Sequence, residues 1–355
     1  MNEPADRLKK YRAMRDFEAT PEPAGASPDP SDRARFVIQE HHATSLHWDL
    51  RLERDGVLVS WAVPKGIPPD PRQNHLAVHT EDHPLEYLSF TGGIPEGSYG
   101  AGGMAIWDRG TYVTHKFDDR EVMVTFEGDR TRGRYVLFRT GGDQWMIHRM
   151  DEPEDPSREL MPAEFHLMEP VTGELPVGEG WGFEFDWPGA RFAVAVAGGR
   201  CRATAAGHTV TGTWPELAPF GRAIGALPVA LDVIAVTLGT DGRPDVDRLA
   251  RRRDANSPNA ARRLARQMAA TLLVIDVLWL DGHPTTELEY LDRRRLLTDL
   301  GLEGERWRTA PSHNGDGDAV LVAAAQQMLP GVIAKRSDSP YLGGPSPFWV
   351  RVPTS

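Results

Sequence analysis

Between Arg35 and Met150 the chain is a succession of eight short apolar-rich runs, FVIQ, LHWDLRL, VLVSWAV, HLAVHT, MAIWD, VMVTF, RYVLFR and QWMIHRM, parted by Gly, Asp and Pro. Runs so short, cut by turn-forming text such as GGIPEGSYGAGG and EGDRTRGR, predict an all-β antiparallel barrel or sandwich. LHWDLRLE alternates strictly. Leu46, Trp48, Leu50 and Leu52 fall on one side, and His47, Asp49, Arg51 and Glu53 on the other, which is the period of a half-buried strand. The apolar side packs on a core. The polar side aligns an imidazole, a carboxylate and a guanidinium, and that row needs a chemical reason.

Eight of the twelve histidines precede residue 150. On a strand, His47 and Asp49 share a face at about 7 Å between Cα atoms. They can converge on one ion if a third ligand arrives from the preceding turn, and His41, six residues ahead of His47, is the natural candidate. His42 reads as structural or exposed. Two imidazoles and a carboxylate leave open positions on a borderline-hard divalent ion such as Mn²⁺ or Zn²⁺. Arg51, next on the same face, offers a fork of donors suited to phosphate oxygens. A metal beside an arginine suits phosphoester hydrolysis. Spacing alone equally permits a solvated polar face with a His–Asp hydrogen bond.

Residues 1–34 read as an irregular arm, a basic amphipathic LKKYRAMRDF followed by the Pro-rich TPEPAGASPDPSD. Acidic, aperiodic DEPEDPSRELMP marks a linker over residues 151–164. From residue 165 to 355 the text is α+β: strands in GFEFDW, RFAVAVA, ALDVIAVTL, VIDVLWLDG and GVIAKR, and helices in VDRLARRRDANSPNAARRLARQMA, DRRRLLTDL and DAVLVAAAQQML. A net charge of −11 gives no overall attraction for nucleic acid, so a DNA partner must be held by a local basic cluster or by a metal. The single cysteine, Cys201, excludes an intramolecular disulfide and suits a reducing cytoplasm. No apolar run approaches the roughly 20 residues that span a bilayer, and MNEPADRLKKYRAMRD lacks a secretory apolar core.

FVIQEHHATSLHWDLRLE, SWAVPKG, LAVHTEDHPLEY and GGIPEGSYGAGGMAIWDRGTY, in that order, resemble the 3′-phosphoesterase domain of bacterial ligase D, an end-joining repair ligase. The likeness runs from about residue 8 to 150 and includes YRAMRDFEATPEP and QWMIHRMD. It implies a Mn²⁺-dependent activity that removes 3′-phosphates and trims 3′-ribonucleotides at DNA ends. Carried over by position, it implies His41, His47 and Asp49 as metal ligands and Arg51 and His83 as residues engaging the scissile phosphate. Asp16, Glu22, Gln39, Lys65 and Tyr87 would line or support the site, and His83 would donate to a phosphate oxygen or a leaving group. His75 stands where the family usually carries an arginine facing the site, with Arg72 as a substitute. The implied partners are DNA 3′ ends and Ku-type, ligase or polymerase end-joining proteins, in a cytoplasmic, nucleoid-associated setting with no membrane.

The second half, over about residues 165–353, resembles the adenylation domain of an ATP-dependent DNA ligase, a nucleotidyltransferase-like fold, most clearly in VIDVLWLDGHPTTELEYLDRRRLL and GVIAKRSDSPYLGGPSPFWVRV. That chemistry needs a lysine, in Lys-x-Asp-Gly-x-Arg, to attack the α-phosphate of ATP. GFEFDWPGAR puts Asp186 at the lysine and Pro188 at the aspartate, and retains Gly189 and Arg191. An aspartate cannot form the phosphoramidate. Of the five lysines (Lys9, Lys10, Lys65, Lys116 and Lys335), only Lys335 follows residue 150, and it matches a different, nucleotide-contacting lysine. Ile234 and Pro330 replace glutamates, and Arg351 replaces a further lysine. The chain stops at Ser355, before an oligonucleotide-binding domain would fit. The expectation is a 3′-end phosphoesterase joined to a ligase-like domain that neither reacts with ATP nor seals. A working DNA ligase and a non-catalytic end-joining scaffold are the alternatives.

Overall fold

The computed structural model describes residues 6–25, 34–153 and 155–354. They divide into two compact units, Met1–Pro156 and Ser157–Ser355.

The first unit carries nine strands: β1 (Arg35–His42), β2 (Leu46–Arg54), β3 (Val57–Val63), β4 (Asn74–His79), β5 (Gly92–Ile94), β6 (Gly102–Phe117), β7 (Glu121–Gly128), β8 (Arg132–Gly141) and β9 (Gln144–Arg149). The order β1-β2-β3-β4-β9-β8-β7-β6 closes when β6 pairs back onto β1, giving an eight-stranded barrel, with β5 added at the start of β6. The run MAIWD belongs to a strand of 16 residues, because β6 pairs with β1 along its first half and with β7 along its second. Among the described residues, closure pairs the eight barrel strands on both sides and leaves only the three-residue β5 as an edge. Asp55 and Gly56, at φ 52° and 80°, form the two-residue loop between β2 and β3 and match the strands' right-handed twist.

Alternation assigns the two faces. Phe36 packs on Phe126 at 4.7 Å and Trp61 on Trp145 at 5.7 Å, contacts between strands that are not neighbours and therefore made across the lumen. Trp48, Leu50 and Leu52 share that face through their partners Val63, Trp61 and Val59. Hence Gln39, His41, His47, Asp49 and Arg51 lie on the outer wall.

The wall is nevertheless covered. The arm, expected to be irregular, forms a short helix (Lys9–Ala13) and docks on the barrel, with Leu8 and Tyr11 buried against Leu58, Tyr87 and Met104. Burying these side chains contributes roughly 2 kcal/mol each. Residues 26–33 of the Pro-rich stretch lie outside the described residues.

The second unit is α+β with two sheets. Its strands are β10 (Met168–Thr172), β11 (Trp181–Asp186), β12 (Ala190–Ala197), β13 (Arg200–Ala205), β14 (His208–Thr209), β15 (Val229–Thr237), β16 (Ala270–Leu280), β17 (His283–Pro284), β18 (Glu303–Gly304), β19 (Trp307–Thr309), β20 (Ser312–Asn314), β21 (Gly331–Arg336) and β22 (Gly344–Pro353). One sheet runs β10-β22-β21-β11-β20, and the other β14-β13-β12-β15-β16-β19-β18 with β17 beside β16. Ile275, Ile333, Tyr341 and Trp349 pack between the sheets. Helices Leu217–Ile224, Val246–Arg253 and Tyr290–Asp299 contribute to a core on the other face of the larger sheet. The first of these has no clear sequence signal, because Pro219 and Gly221 interrupt it. Gly221 is needed there, since a Cβ would stand 2.5 Å from the Gly199 carbonyl oxygen. Among the described residues no helix is long and apolar enough to cross a membrane.

Candidate metal and phosphate site

His41 does not come from a turn. It lies on β1, directly opposite His47 on β2, because the hairpin register pairs His41 with His47 and Gln39 with Asp49. Antiparallel pairing does what sequence separation concealed, and the imidazole rings stand 4.7 Å apart. His41 Nε2 faces the Gly100 carbonyl at 2.9 Å and His47 Nδ1 faces that of Ser45 at 2.9 Å. A carbonyl only accepts, so these nitrogens carry the protons, and His41 Nδ1 and His47 Nε2 keep their lone pairs. Each free nitrogen lies 3.5 Å from an oxygen of Asp49. One donor atom from each of His41, His47 and Asp49 falls within 4.8 Å of the others.

His41 Nδ1 is buried and has no hydrogen-bond partner among the described residues. A buried lone pair of that kind is costly unless something accepts it, and a divalent ion does. The outer nitrogens are already tied to carbonyls, as ligating imidazoles usually are. The residues therefore fit a metal. Gly100 sits in GGIPEGSYGAGG, so that turn also orients a ligand. Two positions on, Gly102 lies so close to β1 that a Cβ would stand 2.3 Å from the His42 carbonyl oxygen.

Arg51 is 2% exposed and bonds Asp49 Oδ2 at 2.9 Å, Gln39 Oε1 at 2.8 Å and Ser60 Oγ at 3.1 Å. Those bonds hold the guanidinium rigidly and leave two of its five N–H donors. Burial alone would raise the Asp49 pKa. The Arg51 guanidinium, 2.9 Å away, outweighs it and holds the carboxyl well below the usual range. Gln39 is oriented in turn by the carbonyls of Tyr87 and Phe90, at 3.0 and 2.8 Å.

The arm supplies a further layer. Glu22 accepts from Arg15 Nε at 2.7 Å, from Thr20 Oγ1 at 2.9 Å and from the Tyr87 hydroxyl. Arg15 also reaches Glu81 at 3.1 Å and His83 Nε2 at 3.3 Å. His83 Nδ1 donates to the Glu81 carbonyl at 2.8 Å, so Nε2 is an acceptor. Burial, with Arg51 and Arg15 nearby, pushes the His83 pKa well below its ordinary value. The geometry differs from the expected donor role, because the neutral ring has no proton on Nε2 to give.

Four expected or neighbouring positions stand apart. Asp16 is exposed, and its carboxylate accepts from the Glu18 amide at 3.1 Å as a turn cap. Lys65 is exposed in the turn after β3. His75 donates from Nδ1 to the Gly66 carbonyl at 2.7 Å, and burial lowers its pKa. Arg72 forks onto Asp70 instead of standing in for an arginine at the site.

In the second unit, Asp186, Arg191, Lys335 and Arg351 line one cavity with Ile234 and Trp349. Arg351 Nε meets Asp186 at 2.9 Å, and Arg191 is paired with Asp232 at 2.9 Å. Burial raises the Asp186 pKa against the pull of Arg351. Lys335, 1% exposed, bonds Glu184 at 2.9 Å and sits 4.0 Å over the Trp349 ring, with its pKa lowered by burial.

Residues 39–139 match the family described as the DNA ligase D 3′-phosphoesterase domain, and residues 176–352 match the ATP-dependent DNA ligase domain. The chain pairs a ligase D 3′-phosphoesterase domain with an ATP-dependent DNA ligase domain. The multifunctional non-homologous end joining protein LigD of Mycobacterium bovis is 42% identical over 96% of this chain and 44% of its own length. The protein of that name from Mycolicibacterium smegmatis is 39% identical over 98% of this chain and 45% of its own. The chain thus spans less than half the length of these relatives. A solved mycobacterial DNA ligase D complexed with ATP and MES is 27% identical over 53% of this chain and 60% of that one, at a TM-score of 0.46.

Sequence reasoning missed Arg15, Ser60 and Glu81 in the phosphoesterase domain, and Glu184, Asp232 and Trp349 in the ligase domain. Arg15 and Glu81 lie in quoted motifs, YRAMRDF and EDHPLEY, but only burial distinguishes them from solvated charges. Arg15 has 4% of its side chain exposed and Glu81 3%.

Proposed function

We propose that the phosphoesterase domain is a metal-dependent hydrolase of DNA 3′ ends, removing 3′-phosphates and trimming 3′-ribonucleotides in double-strand-break repair, and that the ligase domain is catalytically inactive. The observation that carries the first part is the His41–His47–Asp49 cluster, its first and last members buried and His47 half-buried, with Arg51 bonded to the same carboxylate. Two nitrogens and a carboxylate suit Mn²⁺. Bound by this set, the ion supplies Lewis acidity toward a phosphate oxygen and an acidified water.

The protein's own groups do the rest. Arg51 presents its two remaining N–H donors in a fixed fork that takes phosphate oxygens and their developing charge. Gln39 and Ser60 hold it still. His83, kept neutral, accepts from Arg15 at Nε2 and holds that guanidinium toward the phosphate site. Glu22 and Tyr87 fix Arg15 beside it. Asp16 and Lys65, both exposed and apart from the cluster, are supporting positions only.

Inactivity of the ligase domain is supported by Asp186 at the nucleophile position, ion-paired to Arg351, and by Ile234 where a carboxylate is required. Arg191 and Lys335 already have carboxylate partners, which disfavours ATP as a bound cofactor. The protein would work in the cytoplasm on nucleoid DNA, beside Ku-type, ligase or polymerase end-joining proteins.

The test is purified protein with Mn²⁺ and a 5′-labelled primer–template ending in a 3′-phosphate, resolved on a denaturing gel. Wild type should yield a 3′-OH end, and His47→Ala should lose that conversion while keeping its circular dichroism. No conversion by metal-loaded wild type sinks the reading.

A further inference from the structure

The text VDRLARRRDANSPNAARRLARQ, residues 246–267, holds seven arginines and two aspartates in a chain whose net charge is −11. It folds as two helices, Val246–Arg253 and Pro258–Gln267. They are tied together where Arg248 donates to the Gln267 carbonyl at 2.9 Å and Arg252 to that of Met268 at 2.7 Å. Arg252 is fully buried and forks onto Glu216 at 2.7 and 2.9 Å, which anchors the pair to the domain.

The second helix is polarised. Ser257 caps its start by accepting from the Ala260 amide, Pro258 opens it, and Ala261 is buried. At 100° per residue, Arg262, Arg263 and Arg266 project on the side away from Ala261, and all three are exposed. No acidic residue occurs between Asp254 and Asp276. Arg262 bonds only Asn259, at 2.6 Å, and none of the three makes an ion pair among the described residues. Arg251 and Arg253 are likewise exposed beside them.

An ordinary solvated helix face alternates its charges, because opposite charges at i,i+4 stabilise it and like charges there destabilise it. Arg262 and Arg266 are a like pair at that spacing, so this face is built at a cost to the helix. The two lie about 6 Å apart along the axis at 1.5 Å per residue. A DNA strand offers one phosphate per roughly 3.4 Å of duplex axis, so a step of about 6 Å spans nearly two phosphate intervals, and long arginine side chains reach separate phosphates of one strand.

We propose that the outer face of helix Pro258–Gln267, with Arg262, Arg263 and Arg266 at its centre and Arg251 and Arg253 at its side, grips the phosphate backbone of DNA. The inference rests on the reading that DNA is what this chain acts on. It gives the ligase domain a use that needs neither ATP nor the missing lysine. Backbone contact of this kind is independent of sequence and adds affinity without chemistry.

Binding of the full chain to a labelled duplex ending in 3′-OH, followed by anisotropy from 0.05 to 0.3 M salt, tests the proposal without using the phosphoesterase reaction. Each phosphate neutralised adds about 0.9 to the slope of log K against log[salt]. The triple variant Arg262→Ala/Arg263→Ala/Arg266→Ala should therefore lower the slope by about 2.7, and Arg266→Gln alone by about 0.9. An equally charged control, Arg200→Ala/Arg295→Ala/Arg336→Ala, also drawn from exposed arginines, should leave the slope unchanged. Two results overturn the proposal: a slope for the triple variant within 0.5 of wild type, which leaves the face to an acidic protein partner, or an equal fall in the control. Wild type and both variants should convert a 3′-phosphate end alike at saturating DNA. Loss of conversion in wild type would instead overturn the end-processing reading.

Discussion

Replacing Asp49 with asparagine preserves shape and removes one charge. In the folded barrel that charge faces Arg51 Nη2 at 2.9 Å and two imidazole nitrogens at 3.5 Å. Without metal, Asp49→Asn leaves the buried guanidinium with Gln39 and Ser60 as neutral acceptors and no counter-charge. Breaking a buried pair from one side costs about 3–5 kcal/mol, and the two retained acceptors put this case near the lower figure. At about 2–4 °C per kcal/mol for a domain of this size, the barrel's melting temperature should fall by roughly 6–12 °C. Saturating wild type with Mn²⁺ at about 100 times its dissociation constant should raise stability by about 2.7 kcal/mol, and the variant should show no such rise. The folded pKa of Asp49 is depressed, so its stabilisation is whole above about pH 3.9, the unfolded value, and is lost as pH falls through the folded value. The variant's deficit should therefore be full at pH 7 and shrink below pH 4. Scanning calorimetry with Mn²⁺ or a chelator measures all three. A metal-free melting temperature within about 2 °C of wild type, or an undiminished Mn²⁺ shift, would refute the argument that this carboxylate neutralises Arg51 and binds the ion.

His83 is buried with its pKa depressed, so keeping it neutral stabilises the fold fully above about pH 6.5 and less as the unfolded chain binds protons below that value. His83→Gln should flatten the fall in melting temperature between pH 7.5 and 5.5. The flattening should be partial, because burial depresses His75 and His79 in the same direction; an unchanged profile would contradict it. In the ligase domain, Asp186→Lys should acquire no covalent AMP from labelled ATP, because the new ammonium would face Arg351 in place of its present partner at 2.9 Å. An AMP adduct after that single change would show that the cavity is still competent.

Much of the barrel was legible because its information is local. Alternation in LHWDLRLE separates two faces, and Gly, Asp and Pro mark the turns, so the eight strands of the closed barrel and the chemical row His47-Asp49-Arg51 follow from the string, whereas β5 lies in text that reads as turns. The scarcity of lysine was equally legible, since only Lys335 follows residue 150. Residue types and spacing also gave the metal reading its three members. They could not say that His41 belongs to a neighbouring strand, because register is set by pairing between segments and not by either segment alone. Nor could they say that the arm docks on the outer wall. Tyr11 and Glu22 look like ordinary arm residues until packing takes the first to 0% exposure and the second to 4%. Tertiary structure alone decided which nitrogens carry protons, which charges are desolvated, and that Arg15, Glu81 and Gly100 join the site. Those properties depend on what lies within a few ångströms in space, and in a closed barrel such neighbours come from segments tens of residues apart.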